Sequence, residues 1–260
     1  MNCKICLNKK LIQFISWNNL TYFNCKKCNT SLLKKRILNK SNSDPDGKLR
    51  DLSKEYKFKI ENWYGDIPNF LNKKKSNLKI LDFGCGYGFL LKGINKNFEK
   101  HAVEIHDKSL SILRKNKNIH IHKNLKNLKK NYFDYIIIYH VIEHLDEPKK
   151  VILKLKKLLK KDGILIVGTP NISSLASKIF KSNFRLYDHD HVIMFSENSL
   201  KLFLKKLGFR VLKKEFPFFK TAYNKFENYF RLLQFWKTSP PFYGSIMTFY
   251  TKKNNDIIGF

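Results

Sequence analysis

The chain has 260 residues, 43% of them hydrophobic, with 51 Lys and Arg against 21 Asp and Glu. That length and apolar content allow a full α/β core plus an appendage, and no apolar run approaches the ~20 residues that span a bilayer. The formal charge of +30 would suit a phosphate backbone. Only six of the 51 basic residues are Arg, however, and the lysines are scattered, so most read as solvated helix faces and a nucleic-acid partner ranks second. The N-terminus opens on a Cys-x-x-Cys and lacks a signal-peptide apolar stretch, which points to a cytoplasmic protein.

Cys3-x-x-Cys6 and Cys25-x-x-Cys28 lie 18 residues apart, the spacing of two knuckles that give four thiolates to one tetrahedral zinc. Four thiolates leave no open position, so the ion would be structural, in a zinc ribbon over residues 1–35 with strands at 11–15 and 20–23. Residues 36–75 read as a linker, Ser41 to Gly47, and a helical cap from Lys48 to Leu71. Tyr56 and Trp63 on that cap either face a pocket or pack in the core.

The segment Leu78 to Leu81 is strand-like, and Phe89, Leu90, Leu91 and Ile94 recur at helical spacing, so Asp82-Phe83-Gly84-Cys85-Gly86-Tyr87-Gly88 lies on a strand-to-helix turn. Glycine there lets a ligand approach the backbone closely, and a helix N-terminus favours an anion. A nicotinamide fingerprint would put its third glycine at Phe89; here it falls at Gly88. Cys85, between glycines, reads as a small residue lending its N–H to a ligand. The next strand-like run ends in Glu104. Asp-x-Gly-x-Gly-x-Gly followed by that acid resembles the class I S-adenosylmethionine-dependent methyltransferases. The resemblance implies that Asp82, Gly84, Cys85, Gly86 and Gly88 line the methionine part of the cofactor and that Glu104 accepts from its ribose hydroxyls. It also implies an adenine contact after the third strand (Ile119 to His122), where Asn124 stands in place of the usual acid.

A buried parallel strand, Phe133 to Tyr139, runs into His140-Val141-Ile142-Glu143-His144-Leu145. This resembles the His-x-x-Glu-His-Leu of the group that holds ubiquinone-biosynthesis O-methyltransferases and small-RNA 2′-O-methyltransferases. Some of its members hold a divalent metal with a Glu-x-x-Glu-His set, of which Glu143 and His144 remain here. The resemblance makes His140 a cofactor-side residue, and His140 and His144 candidate general bases, since neutral imidazole accepts a proton near pH 7. Leu159-x-x-Asp162-Gly163, the strand Ile164 to Val167 and Thr169-Pro170-Asn171 match the same group. So does His191 ahead of Phe195-Ser196, which implies a place in the acceptor pocket. Strand alternation over Asp188 to His191 would put both histidines on one side and both carboxylates on the other. Likewise, His120 and His122 alternate with isoleucines and read as solvent-facing.

A helix over 198–207, a sixth strand from Gly208, an aromatic insert over about 217–243 and a closing strand near 245–250 complete a domain over 76–260. The insert reads first as satellite core, with a helical lid or a partner or membrane-surface contact as the alternatives. The fold expected is α/β: a doubly wound, seven-stranded Rossmann-like methyltransferase sheet with an N-terminal zinc ribbon. The activity implied is methyl transfer from S-adenosylmethionine to a small-molecule or saccharide acceptor, at oxygen by preference. RNA or protein acceptors come second, and a non-catalytic zinc-ribbon nucleic-acid binder is the rival outside enzymes.

Overall fold

The computed structural model describes residues 2–36, 52–75, 77–219 and 221–254. The predicted linker from Ser41 to Gly47 lies outside them. Seven strands form the main sheet: β4 (Lys79–Phe83), β5 (Glu99–Val103), β6 (Ile119–His122), β7 (Phe133–Tyr139), β8 (Leu159–Pro170), β10 (Phe209–Glu215) and β11 (Ile246–Lys253). Their order is β10-β11-β8-β7-β4-β5-β6. Neighbouring strands from β6 to β8 run parallel, and β11 pairs antiparallel with both β8 and β10. This is the doubly wound order with one reversed strand, as expected.

Alternation along the buried strands builds two cores at once. Leu81, Ile136, Ile138 and Val167 face one side, with Ile152, Leu155 and Leu158 of α5 (Pro148–Leu158) and Leu200, Phe203 and Leu204 of α7 (Glu197–Lys206). Ile80, Ala102, Ile137 and Ile166 face the other, with α2 (Ile67–Asn72), α3 (Phe89–Lys92) and α4 (Asp107–Leu113). The α5 helix leaves its lysines outside this apolar stripe, the pattern of a helix laid on a sheet. Ser196 caps α7 reciprocally with Ser199, which sets the helix start three residues after Met194.

Three boundaries differ from the sequence reading. The single helix predicted to Leu71 is two, α1 (Leu52–Asn62) and α2, broken at Gly65, whose φ is +58°, with Pro68 starting the second. The helix after the glycine loop is one turn only. The Asp162–Gly163 turn sits within β8, where the register to β7 jumps from Phe133↔Leu159 to Tyr135↔Ile164 and residues 160–163 bulge out.

The first 36 residues are not an isolated module. Strands β1 (Leu11–Ile15) and β2 (Thr21–Cys25) form a hairpin, and β3 (Ser31–Leu33) pairs antiparallel with β9 (Ile193–Met194). The result is a second sheet, β1-β2-β3-β9, shared between the N-terminus and the methyltransferase-like body. Cys3, Tyr22 and Leu32 belong to the same core as α5 and α7. Among the described residues no helix is long and apolar enough to cross a membrane.

The aromatic insert is mostly surface, not satellite core. Its described residues hold one short helix, α8 (Phe226–Arg231); α6 (Leu175–Phe180) precedes α7, outside the insert. Phe218 is buried, but Phe219, Phe226, Phe230, Phe235 and Trp236 are exposed. Sequence alone could not separate the two cases, because aromatic content does not say which rings find partners.

Gly88 begins α3 with φ +70°, and a Cβ there would sit 2.4 Å from Leu113 Cδ1. Gly88→Ala is therefore expected to destabilise the protein by about 1–3 kcal/mol, from left-handed backbone strain plus overpacking. Urea unfolding reads this directly; a variant as stable as the parent would mean that the loop relaxes freely.

Candidate active site

The glycine loop is tied to the neighbouring strand before any ligand arrives. The N–H groups of Gly84 and Cys85 both donate to the Val103 carbonyl, at 2.8 and 3.3 Å. The Cys85 N–H is thus spent inside the fold, which corrects the expectation that it is lent outwards. Its thiol is no nucleophile either: burial, then the charges of Asp82 and Glu104, push it well up. Glu104, 4% exposed, accepts from Gly86 N–H at 2.7 Å through Oε2, and from Ile105 and His106 N–H at 2.7 and 2.9 Å through Oε1. Three backbone donors fix that carboxylate at the mouth of the loop.

Asp82 is as buried as Glu104, yet no described residue donates a hydrogen bond to its carboxylate. Burial, then the charge of Glu104, push it up to about 7. A Cβ built on Gly86 would meet nothing within 4 Å. Two buried carboxylates, one of them unpartnered, thus stand beside an open backbone surface. That is a cradle for a ligand with a cationic or hydroxyl-rich face, as an amino group and a ribose provide.

Across the sheet's C-terminal edge, β7 is followed directly by His140, held at φ +52°, a backbone setting costly for a non-glycine residue and frequent at functional sites. Glu143, on the single turn Ile142–His144, is fully buried. It contacts His140 Nδ1 at 3.1 Å and accepts from Thr169 Oγ1 at 3.0 Å. Burial alone would raise its pKa. The hydrogen bond from His140, then the charges of His140, His144 and His191, outweigh burial and hold it at about 2. An ionised carboxylate only accepts, so His140 carries its proton on Nδ1. His140 Nε2 is shut off from water and has no partner among the described residues, so a ring that loses its proton there exposes a free lone pair. Trp63 lies against the His140 ring at 4.9 Å and is also packed, partly buried, on the second core, so both expectations for it meet in one residue.

His144 and His191 are set the same way. His144 Nδ1 donates to the Asp190 carbonyl at 3.0 Å and His191 Nδ1 to the Leu186 carbonyl at 2.7 Å, and the two rings meet edge to face at 4.8 Å. One donor atom each from Glu143, His144 and His191 fall within 4.8 Å of one another. Burial lowers the pKa of His191, so its ring favours the neutral form. The structure therefore gathers all three predicted histidines around one buried carboxylate.

The comparisons with known proteins bear on this geometry. The family described as "Methyltransferase domain" matches residues 56–214, more than half of the chain. The chain is a class I S-adenosylmethionine-dependent methyltransferase. Among curated relatives, the ubiquinone biosynthesis O-methyltransferase of Pelagibacter ubique (strain HTCC1062) is 32% identical over 156 residues, covering 53% of this chain and 62% of that protein. The methyltransferase thus spans less than two thirds of that relative. An S-adenosylmethionine-dependent methyltransferase from Aquifex aeolicus superposes with a TM-score of 0.52 at 18% identity, over 83% of this chain and 98% of its own. The plantazolicin methyltransferase BpumL, solved with S-adenosylhomocysteine, gives 0.51 at 17%, over 83% and 89%. At such identities the two structures speak for the fold.

Not every predicted residue of the methyltransferase joins the site. Asn124 is exposed, and its side-chain carbonyl accepts from Lys126 N–H at 2.9 Å within its own turn. The predicted alternation over 188–191 fails because this stretch is a bent loop. His189 sits against Asp188, at 2.5 Å, while His191 turns towards Leu186. His120 is exposed as expected, but His122 is half-buried, its Nε2 2.9 Å from His101 Nδ1 with the rings stacked. The four N-terminal cysteines do converge: Cys3 and Cys28 Sγ lie 3.5 Å apart, as do Cys6 and Cys25 Sγ. A disulfide would need about 2 Å, whereas the edges of a tetrahedron around zinc with 2.3 Å arms are about 3.8 Å. The residue set fits the metal.

Proposed function

We propose that this methyltransferase moves a methyl group to an oxygen of a small-molecule acceptor, with His140 as the general base. The observation that carries the reading is the His140–Glu143 pair, which leaves Nε2 of a neutral His140 ring an unpartnered acceptor in a water-poor setting. The curated relative that methylates oxygen in ubiquinone biosynthesis supports a small acceptor and the choice of atom. Bound S-adenosylmethionine supplies an already activated methyl group, so the protein has mainly to orient and desolvate.

In this reading Asp82 holds the amino group of the cofactor and Glu104 its ribose hydroxyls, while Gly84, Gly86 and Gly88 keep side chains out of the way. Glu143 fixes the His140 tautomer and steadies the ring once it has taken the acceptor's proton, and Trp63 fixes the ring's tilt. His191 and His144 wall the acceptor side. The Glu143, His144 and His191 donors would also suit a divalent ion beside the acceptor hydroxyl. That second reading is carried by their mutual distances alone, and metal-dependent activity with intact metal-free cofactor binding would favour it. For the N-terminus, Cys3, Cys6, Cys25 and Cys28 hold a structural zinc.

Calorimetric titration with S-adenosylhomocysteine tests the donor half. Glu104→Ala is expected to weaken binding at least ~10-fold, through lost charge-assisted bonds and a loosened Gly86. With acceptor in hand, His140→Asn should lower kcat by 10²–10⁴ and remove the acidic limb of the pH profile, in the usual range for a general base. Unchanged binding in Glu104→Ala would overturn the donor assignment; a retained acidic limb in His140→Asn would overturn the base.

A further inference from the structure

Among the described residues Arg185 has no counterion. Its Nε is shut off from water and has no hydrogen-bond partner, and no ion pair joins its guanidinium to any described residue. A guanidinium cannot neutralise itself near pH 7, so a half-buried one whose Nε is closed off without an acceptor is costly to keep. In a chain where only six of 51 basic residues are Arg, a second one, Arg231 at the end of α8, lies near enough for its charge to act on Arg185. Arg231 makes no ion pair among the described residues either.

The placement is specific. Backbone N–H of Arg185 donates to Ser239 Oγ at 3.0 Å, Ser239 N–H donates to the Asn183 carbonyl at 3.0 Å, and Asn183 Nδ2 reaches the Phe235 carbonyl at 3.3 Å. These bonds clamp the loop holding Arg185 to the aromatic insert. The next residue, Leu186, supplies the carbonyl that fixes the His191 ring. On the far side, Tyr223 packs its ring against Phe58 of α1 at 5.8 Å, and Ala222 N–H donates to Asn62 Oδ1. Arg185 therefore stands on the loop that ties the aromatic insert to the residue fixing the His191 ring.

We infer that Arg185, supported by Arg231, is an anion subsite that holds a carboxylate or phosphate group of the methyl acceptor. This rests on the reading of the His140 and His191 side as the acceptor site. The planar fork of a guanidinium matches both anions through paired N–H donors, and the bound anion supplies the acceptor that Nε lacks. An acidic acceptor explains why this cation is kept unpaired, and it adds a distance constraint between the anionic group and the hydroxyl to be methylated.

The test uses the full chain, zinc-loaded, at high salt to mute the surface lysines. Benzoate, phenyl phosphate and uncharged benzyl alcohol are titrated into the parent, Arg185→Met and Arg185→Lys, by calorimetry and melting shift. The parent is expected to bind the two anions, with Arg185→Met at least ~10-fold weaker and Arg185→Lys between them; benzyl alcohol should not distinguish the three. Whichever anion loses more in Arg185→Met names the group recognised. Equal anion affinity in the parent and Arg185→Met overturns the proposal, as does an Arg185→Met protein that has lost its cooperative melt, for then the cation is structural. S-adenosylhomocysteine is titrated into the same samples. If it fails in all three, the methyl-donor assignment falls while the anion result stands by itself; if it binds all three alike, the anion result alone decides.

Discussion

Stripping the metal with a strong chelator, or making Cys28→Ser, is expected to unfold the N-terminal hairpin and unseat residues 186–194 while S-adenosylhomocysteine still binds. About 35 residues bury too little to fold alone, and structural zinc contributes roughly 10–16 kcal/mol in comparable small modules. That is as large as the whole stability of an ordinary domain, so no other contact of the hairpin can replace it. The hairpin also lies under the loop that carries His191, the proposed acceptor side. Tyr22 Oη donates to the carbonyls of Asp188 and His191 at 2.6 and 3.1 Å, and Asn18 Nδ2 to that of Tyr187 at 2.9 Å. Ser196 Oγ donates to the Cys28 carbonyl at 3.0 Å, one residue from β9's end. Arg36 bonds Asp190 and the His144 carbonyl, each at 3.3 Å. Asp82 stands on β4 and Glu104 directly after β5, strands that share no hydrogen bond with this sheet, so donor affinity should stay within about threefold. The measurements are zinc per chain, the melting curve, and S-adenosylhomocysteine affinity before and after chelation. Absence of zinc from purified protein, with Cys28→Ser melting like the parent, would sink the zinc assignment. Loss of donor affinity in step with the metal would sink the separation of the two halves.

What the sequence showed and what it hid divide along sequence separation. The glycine loop, Glu104, the order of elements and the two cysteine knuckles are local patterns of a few residues each, and each could be read where it stood. Trp63 against His140, β3 beside β9, and Arg36 reaching Asp190 join residues from different segments, and no periodicity announces them. Loop 184–192 was misread because an alternating run of charged residues and histidines imitates a strand, while turns at Phe184–Tyr187 and Asp188–His191 bend it. Arg185 went unnoticed for a further reason. A lone Arg in a lysine-rich chain has no sequence signature, and only the missing counterion marks it. The fold was therefore far more legible than the acceptor site, whose walls come from four separate stretches of chain.

Affinity for S-adenosylhomocysteine is expected to rise with pH up to about 7 and then level off, and Asp82→Asn should lose this dependence together with roughly 10- to 100-fold of the affinity at pH 8. The sign follows from where the proton sits. Unfolded, Asp82 titrates near 4; folded and free of ligand, burial and then Glu104 push it up to about 7. Between those values the folded protein holds a proton that the unfolded chain has lost, so Asp82 costs stability as pH rises from about 4 to 7, on the order of 4 kcal/mol in full. Asp82→Asn should accordingly be more stable than the parent at pH 8 and lose that advantage near pH 4. A ligand amino group would stabilise the charged carboxylate and pull the proton off, so binding below pH 7 must release protons. Calorimetry in two buffers of different ionisation enthalpy counts them directly. Because Glu104 shares the field, the titration belongs to the carboxylate pair, and its midpoint should shift when Glu104 is replaced. Affinity flat from pH 6 to 8, with no proton released, would show that Asp82 is already ionised in the free protein or does not meet the amino group. A variant both less stable and weaker in binding at pH 8 would make Asp82 a structural residue. Joint gain of stability and loss of affinity is the signature of a buried carboxylate kept for its ligand, because no merely structural group improves the fold on removal while spoiling the site.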